Sequence, residues 1–248
     1  MRILLVNPNM TQGMTDRMFT IASAIAGDRA EIVPLTATRG FPYIASRTEA
    51  QIAGEIALEM IAEHREGADV AIIAAFGDPG LAAARELFDM PIIGMADAAV
   101  HTAALLGGSF AVVTFTPFMN RWYEDCIKAT GLSSRSRGVR SAAEKPIDVA
   151  SVRDDAREEL IALARDAALK DGAEVIILGG APLAGLAPEI AADVPALVID
   201  PISAATCQAL AVAGLAPGLD YSTRATRPAP KSSVGLAGPL RALIAGDV

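Results

Sequence analysis

The chain has 248 residues with 21 Lys and Arg against 29 Asp and Glu, a formal charge of −8 that excludes a basic nucleic-acid binder. Hydrophobic residues make up 52% and charged residues 20%, far from a disordered composition, so a sizeable core in one or two domains is expected. Aromatics are only 4%, and the surplus of Ala, Leu, Ile and Val is what parallel sheets covered by helices are made of.

In chain order, short β-rich apolar runs alternate with Ala-rich helical stretches. The pattern predicts a strand over 3–6, a helix over 15–26, a strand over 30–35 and a helix over 49–66, the last with apolar spacing at Ile52, Ile56, Met60 and Ile61. A strand over 70–74, a helix over 81–87, a strand over 92–94, a helix over 98–106 and a strand over 110–115 follow. Beyond a helix over 120–130 lies a polar stretch over 133–145, read as loop. A helix over 152–171, a strand over 175–178, a Gly/Pro loop, a strand over 196–199 and a helix over 204–213 complete the alternation. The tail over 221–233 reads as a surface loop before a short final segment. Residues 98–120 and 201–219 carry no formal charge, yet Gly107, Gly108 and Pro117 interrupt the first and Pro201, Gly214 and Pro217 bound the second, so no membrane span is expected. Cys126 and Cys207 cannot build a disulfide framework and show no metal-binding spacing; both read as small core residues of a chain in a reducing, cytoplasmic setting. The apolar run before Asn7 is too short for a signal peptide, so the mature chain is expected to begin at Met1.

The chain also repeats itself. Residues 67–81 (GADVAIIAAFGDPGL) lie over residues 172–186 (GAEVIILGGAPLAGL) without a gap at an offset of 105. Residues 3–9 lie over 110–116 at an offset of 107, and Pro91 over Pro195 at 104, which places one deletion before the last strand. This predicts two pseudo-symmetric doubly wound α/β domains with parallel sheets, residues 1–98 with 206–248 and residues 99–205, and an interdomain cleft at the strand C-terminal ends. The facing loops, Ala75 to Gly80 and Gly180 to Leu183, each precede a helix start, where free N–H groups suit a carboxylate, phosphate or imide oxygen.

At these residues the sequence resembles the Asp/Glu/hydantoin racemase family. The resemblance rests on the first strand ending in Asn7-Pro8-Asn9, the Phe76-Gly77-Asp78-Pro79-Gly80-Leu81 loop, Pro91-Ile92-Ile93-Gly94, the strand ending Val112-Val113-Thr114, and the run from Ile177 to Leu186. It implies two pseudo-symmetric α/β domains, a small carboxylate, amino-acid or hydantoin-like substrate between them, no cofactor, and a homo-oligomer. It also implies one cysteine on each facing loop, because inverting a stereocentre needs a base on one face and an acid on the other, and a thiol serves either role. Here those positions are Ala75 and Gly180. The two-thiol route is therefore closed, as is that of the arylmalonate decarboxylase-like branch, which keeps only the second cysteine.

Asp78, three residues past the first lost thiol, is the sharpest substitute proton carrier, with helix capping as its competing role. Thr114 is its expected catalytic partner, and Asn9, Ala75, Phe76, Gly77, Thr116, Gly180, Ala181 and Pro182 form the expected substrate site. Tyr43 and Arg47, on the loop before the second helix, read either as an exposed loop with a solvated charge or as a flap that closes over the cleft and holds an anion. His64 reads as surface, and His101 as a satisfied, partly buried side chain. Asp97 and Asp200 follow matching strands one residue out of step. The expected activity is a cofactor-independent, racemase-like isomerisation. A non-catalytic small-molecule binding protein or a cofactor-free lyase is the alternative. No G-x-G-x-x-G, GK[ST] or G-x-S-x-G motif points to other chemistry.

Overall fold

The computed structural model describes residues 1–144, 148, 149, 151–215, 219, 221, 224 and 228–247. The first half runs β1 (Arg2–Asn7), α1 (Gln12–Ala26), β2 (Glu31–Thr36), α2 (Arg47–His64), β3 (Val70–Ile73), α3 (Leu81–Leu87) and β4 (Ile92–Gly94). Helix α4 (Met95–Leu106) leads into β5 (Phe110–Thr114), α5 (Asn120–Ala129), β6 (Ser136–Ser141), α6 (Val152–Asp155), α7 (Arg157–Leu169), β7 (Val175–Gly179), α8 (Ala187–Ile190) and β8 (Leu197–Ile199). Helices α9 (Pro201–Leu215) and α10 (Gly238–Ala245) close the chain. The strands form two parallel four-stranded sheets of matching order, β2-β1-β3-β4 and β6-β5-β7-β8. Such sheets bury both faces, and the near-continuous apolar runs of the central strands supply this: Ile3 to Val6, Val70 to Ile73, Phe110 to Val113 and Val175 to Leu178 are all fully buried.

Strand register tests the repeat residue by residue. Ile3 pairs with Val70 and Phe110 with Val175, which reproduces the offsets of 107 and 105. The last strands differ from expectation: Ala71 pairs with Ile92 and Ile176 with Val198, so β8 follows β4 by 106 residues. The expected one-residue deletion is thus a one-residue insertion, and matching the two prolines misaligned the strands. Asp200 stands where the first half has Gly94, and Asp97 matches Ser203.

Other departures have local causes. β6 lies in the stretch read as loop. It is an edge strand whose Ser-Arg-Gly-Val-Arg-Ser sequence holds a single apolar residue, so no buried run announces it. The helix expected over 152–171 breaks at Ala156 into α6 and α7. The helices expected from 98 and 204 begin at Met95 and Pro201. Of the tail loop, residues 222, 223 and 225–227 lie outside the described residues. Helix α9 packs on α1, α4, β3 and β4, α4 packs on β7, and α10 packs on α2. Among the described residues no helix is long and apolar enough to cross a membrane.

Candidate functional site

The loops after β3 and β7 close with the same turn bond at equivalent positions. The Asp78 N–H donates to the Ala75 carbonyl at 3.0 Å, and the Leu183 N–H donates to the Gly180 carbonyl at 3.0 Å. Inside these turns the N–H groups of Phe76 and Ala181, equivalent by the offset of 105, take no partner among the described residues. Both residues face a cavity of about 20 Å³ between the sheets, which is room for roughly one water. Asn9, Tyr43 and Ala75 complete its wall from the first half, and Trp122, Tyr123 and Gly180 from the second. Among the described residues lining it there is no Asp, Glu, Lys or Arg. Asn9 is fixed by the Asn7 side chain, whose Nδ2 donates to Asn9 Oδ1 at 3.2 Å and to Thr15 Oγ1 at 2.9 Å.

Of the residues singled out in the sequence, Asn9, Tyr43, Ala75, Phe76, Gly180, Ala181 and Pro182 meet at this cavity, whereas Gly77, Asp78, Thr114 and Thr116 do not line it. Gly77 holds a φ of 123°, and a Cβ there would lie 2.2 Å from the Trp122 ring, so the loop approaches α5 only because it carries glycine. Asp78, at φ 51°, turns its carboxyl away from the cavity onto the first turn of α4. The Ala96 N–H donates to Oδ1 at 2.8 Å and the Asp97 N–H to Oδ2 at 2.7 Å. Burial pushes this carboxyl up to about 7, against the lowering effect of the two N–H donors. Thr114 and Thr116 are buried, and neither hydroxyl has a hydrogen-bond partner of acceptable geometry, although the Thr114 hydroxyl lies beside that of Tyr123. The Tyr123 hydroxyl donates to Met119 Sδ at 2.6 Å. Burial raises the Tyr123 and Tyr43 hydroxyls above the ordinary phenol range, so both are neutral donors.

Several other readings are corrected. Arg47 does not point to the cavity; its Nε donates to Asp125 Oδ2 at 2.7 Å and its Nη2 to the Arg121 carbonyl at 3.0 Å, tying α2 to α5 across the rim. On the other side Arg17 Nη1 donates to the Pro182 carbonyl at 3.0 Å. His101 is exposed beside Asp97 rather than partly buried, and Cys207 is exposed rather than core. Cys126 is partly buried, its Sγ donating to the Gly77 carbonyl at 3.4 Å, and burial raises its thiol, so it is not a ready nucleophile. Sequence reasoning missed Trp122 and Tyr123, which belong to the charged helix α5, and Met119 just before it, because all three are far from either loop in the chain. The signal available was the Trp-Tyr pair, two large apolar rings among Asn, Arg, Glu and Asp.

A profile of the Asp/Glu/hydantoin racemase family matches residues 3–209. The chain belongs to this family. It is 30% identical to a hydantoin racemase from Paenarthrobacter aurescens over 210 residues, 83% of this chain and 88% of that protein. Among solved structures, an allantoin racemase from Klebsiella pneumoniae is 32% identical with a TM-score of 0.85, covering 98% of each chain. An allantoin racemase from Pseudomonas fluorescens is 32% identical with a TM-score of 0.87, covering 95% of this chain and all of that one, 100%. The family resemblance places an isomerase's frame around a cavity whose two expected thiol positions hold a methyl group and a hydrogen.

Proposed function

We propose that this chain is a cofactor-independent, racemase-like protein whose cleft takes a small neutral cyclic ureide of the hydantoin type. One observation carries the reading: Phe76 and Ala181, equivalent in the two halves and with N–H groups that take no partner among the described residues, both line a cavity whose described wall holds no charged side chain. Two carbonyl oxygens flanking a ring nitrogen match two such donors, and a neutral ring needs no cationic partner. A dicarboxylic amino acid would bury its charges unpaired, a cost of several kcal/mol. Donors aimed at a carbonyl oxygen also stabilise the enolate that forms when the adjacent carbon loses its proton. The racemase names of the relatives support this choice of ligand class and reaction.

Ala75 and Gly180 cannot carry that proton, which passes to and returns from solvent hydroxide or water, so acceleration rests on carbonyl polarisation and is small compared with a two-thiol site. In this reading Asp78 is a positioning residue, holding the Phe76 loop to α4. The Thr114 and Thr116 hydroxyls supply hydrogen bonds when the closed cleft opens around a ligand. The replacement of both thiol positions supports a second reading, a binding protein without turnover on the same frame. Isothermal titration with hydantoin, 5-methylhydantoin, allantoin, L-aspartate and L-glutamate tests the ligand class. Heat of binding with the cyclic ureides and none with the dicarboxylates is expected; the reverse order would overturn the proposal.

A further inference from the structure

We infer that Phe115 sets the size of substituent the cleft accepts on its Gly180 side. This inference rests on the ligand class proposed above. Gly180 is held at φ 127°, and a Cβ on it would lie 2.7 Å from Phe115 Cε1. The ring, 1% exposed, therefore fills the space that any side chain at position 180 would need in this backbone. On its other side it packs against Tyr43, with ring centroids 6.1 Å apart. Gly180 and Tyr43 are both cavity wall, so Phe115 backs two sides of the cavity at once.

Three features fix the ring in place. Phe115 follows Thr114, whose register partner is Gly179, so the strand pair β5-β7 delivers it beside Gly180. A Cβ at Gly179 would itself lie 2.7 Å from Val112, 3.1 Å from Phe76 and 3.1 Å from Tyr123, so the preceding residue leaves no slack through which the loop could retreat. Phe115 is also part of the core shared by both sheets, where a large ring has no empty rotamer to move into. Position 180 and position 115 therefore act as a pair: the hydrogen at one is matched to the ring at the other. A ring substituent directed toward the second loop meets Gly180 and then an unyielding phenyl group.

The test compares wild type with Phe115→Val on 5-substituted hydantoins of rising size, 5-methyl, 5-isopropyl and 5-benzyl, by titration calorimetry. The wild type is expected to favour 5-methyl over 5-benzyl by at least about tenfold, and the variant to narrow or invert that ratio by about tenfold. An unchanged 5-methyl to 5-benzyl ratio in the two proteins overturns the inference while leaving the proposed function standing. Failure of every hydantoin to bind the wild type overturns both. Thermal unfolding supplies a ligand-free arm in case the variant packs poorly. Gly180→Ala should lower Tm in wild type and lower it less in the Phe115→Val background, because backbone strain is common to both and only the steric contact differs. Equal losses in the two backgrounds would contradict the contact on which the pairing depends.

Discussion

Asp78 shows how a single carboxyl can be bound to structure and still titrate near neutrality. Its folded value, about 7, lies above the ordinary aspartate value because burial favours the neutral form. Between about pH 4 and 7 the folded chain therefore holds a proton that the unfolded chain has released, so stability falls as pH rises through that window, by up to about 1 kcal/mol per unit, and levels off above it. Asp200 is raised for the same reason and acts in the same direction. Thermal unfolding from pH 4.5 to 8 should show this slope in wild type and a shallower one in Asp78→Asn; an unchanged slope would remove Asp78 as its source. The buried hydroxyl of Thr116 makes a prediction of opposite sign for stability and binding. Thr116→Val replaces an unsatisfied polar group by a methyl of similar shape, so the fold should be unaffected or stabilised by up to about 1 kcal/mol. Hydantoin affinity should fall by about threefold to tenfold. A loss of stability would mean that the hydroxyl is satisfied in the free protein. At this scale six of the residues named from the sequence as the substrate site line one cavity, because small residues and turn formers cluster in the loops at the strand ends. It could not reveal that Asp78 faces α4, since that depends on a loop rotation set by a positive φ.

Helices α4 and α9 are equivalent in the repeat, and each has a buried carboxyl at its start that arrives from a different place. In the first half Asp78 reaches up from the loop after β3 to the N–H groups of Ala96 and Asp97. In the second, Asp200 sits at the head of α9. Its Oδ1 accepts from the Ser203 N–H at 3.0 Å and its Oδ2 from the Gly185 N–H at 2.6 Å, tying the helix to the loop after β7. Either arrangement joins a site loop to the helix start and gives the free N–H groups there a carboxyl acceptor. They exclude one another sterically. A Cβ at Gly94, the position equivalent to Asp200, would lie 2.5 Å from the Asp78 carboxyl, while the position equivalent to Asp78 is Leu183. Gly94 has an extended backbone, φ −87°, that any residue can adopt, so the glycine is required by space and not by conformation. Gly94→Asp alone should therefore cost roughly 3 kcal/mol or more, through overpacking and two adjacent buried carboxyls. Adding Asp78→Leu should recover most of that loss, measured by urea unfolding. No recovery would show that the two caps are not interchangeable. The sequence carried both aspartates, but matching the prolines before β4 and β8 put the last strands out of register and hid the place that Asp78 and Asp200 share at equivalent helix starts.

The two halves meet around a small cavity and are tied together by Arg47 to Asp125 and by Arg17 to Pro182. The exposed Arg47–Asp125 ion pair contributes little to stability, so Arg47→Ala should lower it by less than about 1 kcal/mol while raising the rate at which hydantoin binds, measured by stopped-flow Trp122 fluorescence. An unchanged rate would mean that closure rests on packing alone. The parallel α/β architecture and its duplication were legible because fully buried central strands announce themselves as apolar runs and a constant offset survives in sequence. The edge strand β6, half exposed and polar, and the aromatic wall from α5 were not, since one lacks an apolar run and the other depends on how the halves dock. On the proposed function, the loop N–H donors polarise a hydantoin carbonyl with no thiol at position 75 or 180. Proton NMR of hydantoin and 5-methylhydantoin in D2O with this protein is the decisive experiment: binding together with faster loss of the C5 proton signal than in buffer, reduced in Thr116→Val, is the expected result. Binding with no acceleration would contradict the account and leave a ligand-binding protein on a racemase frame.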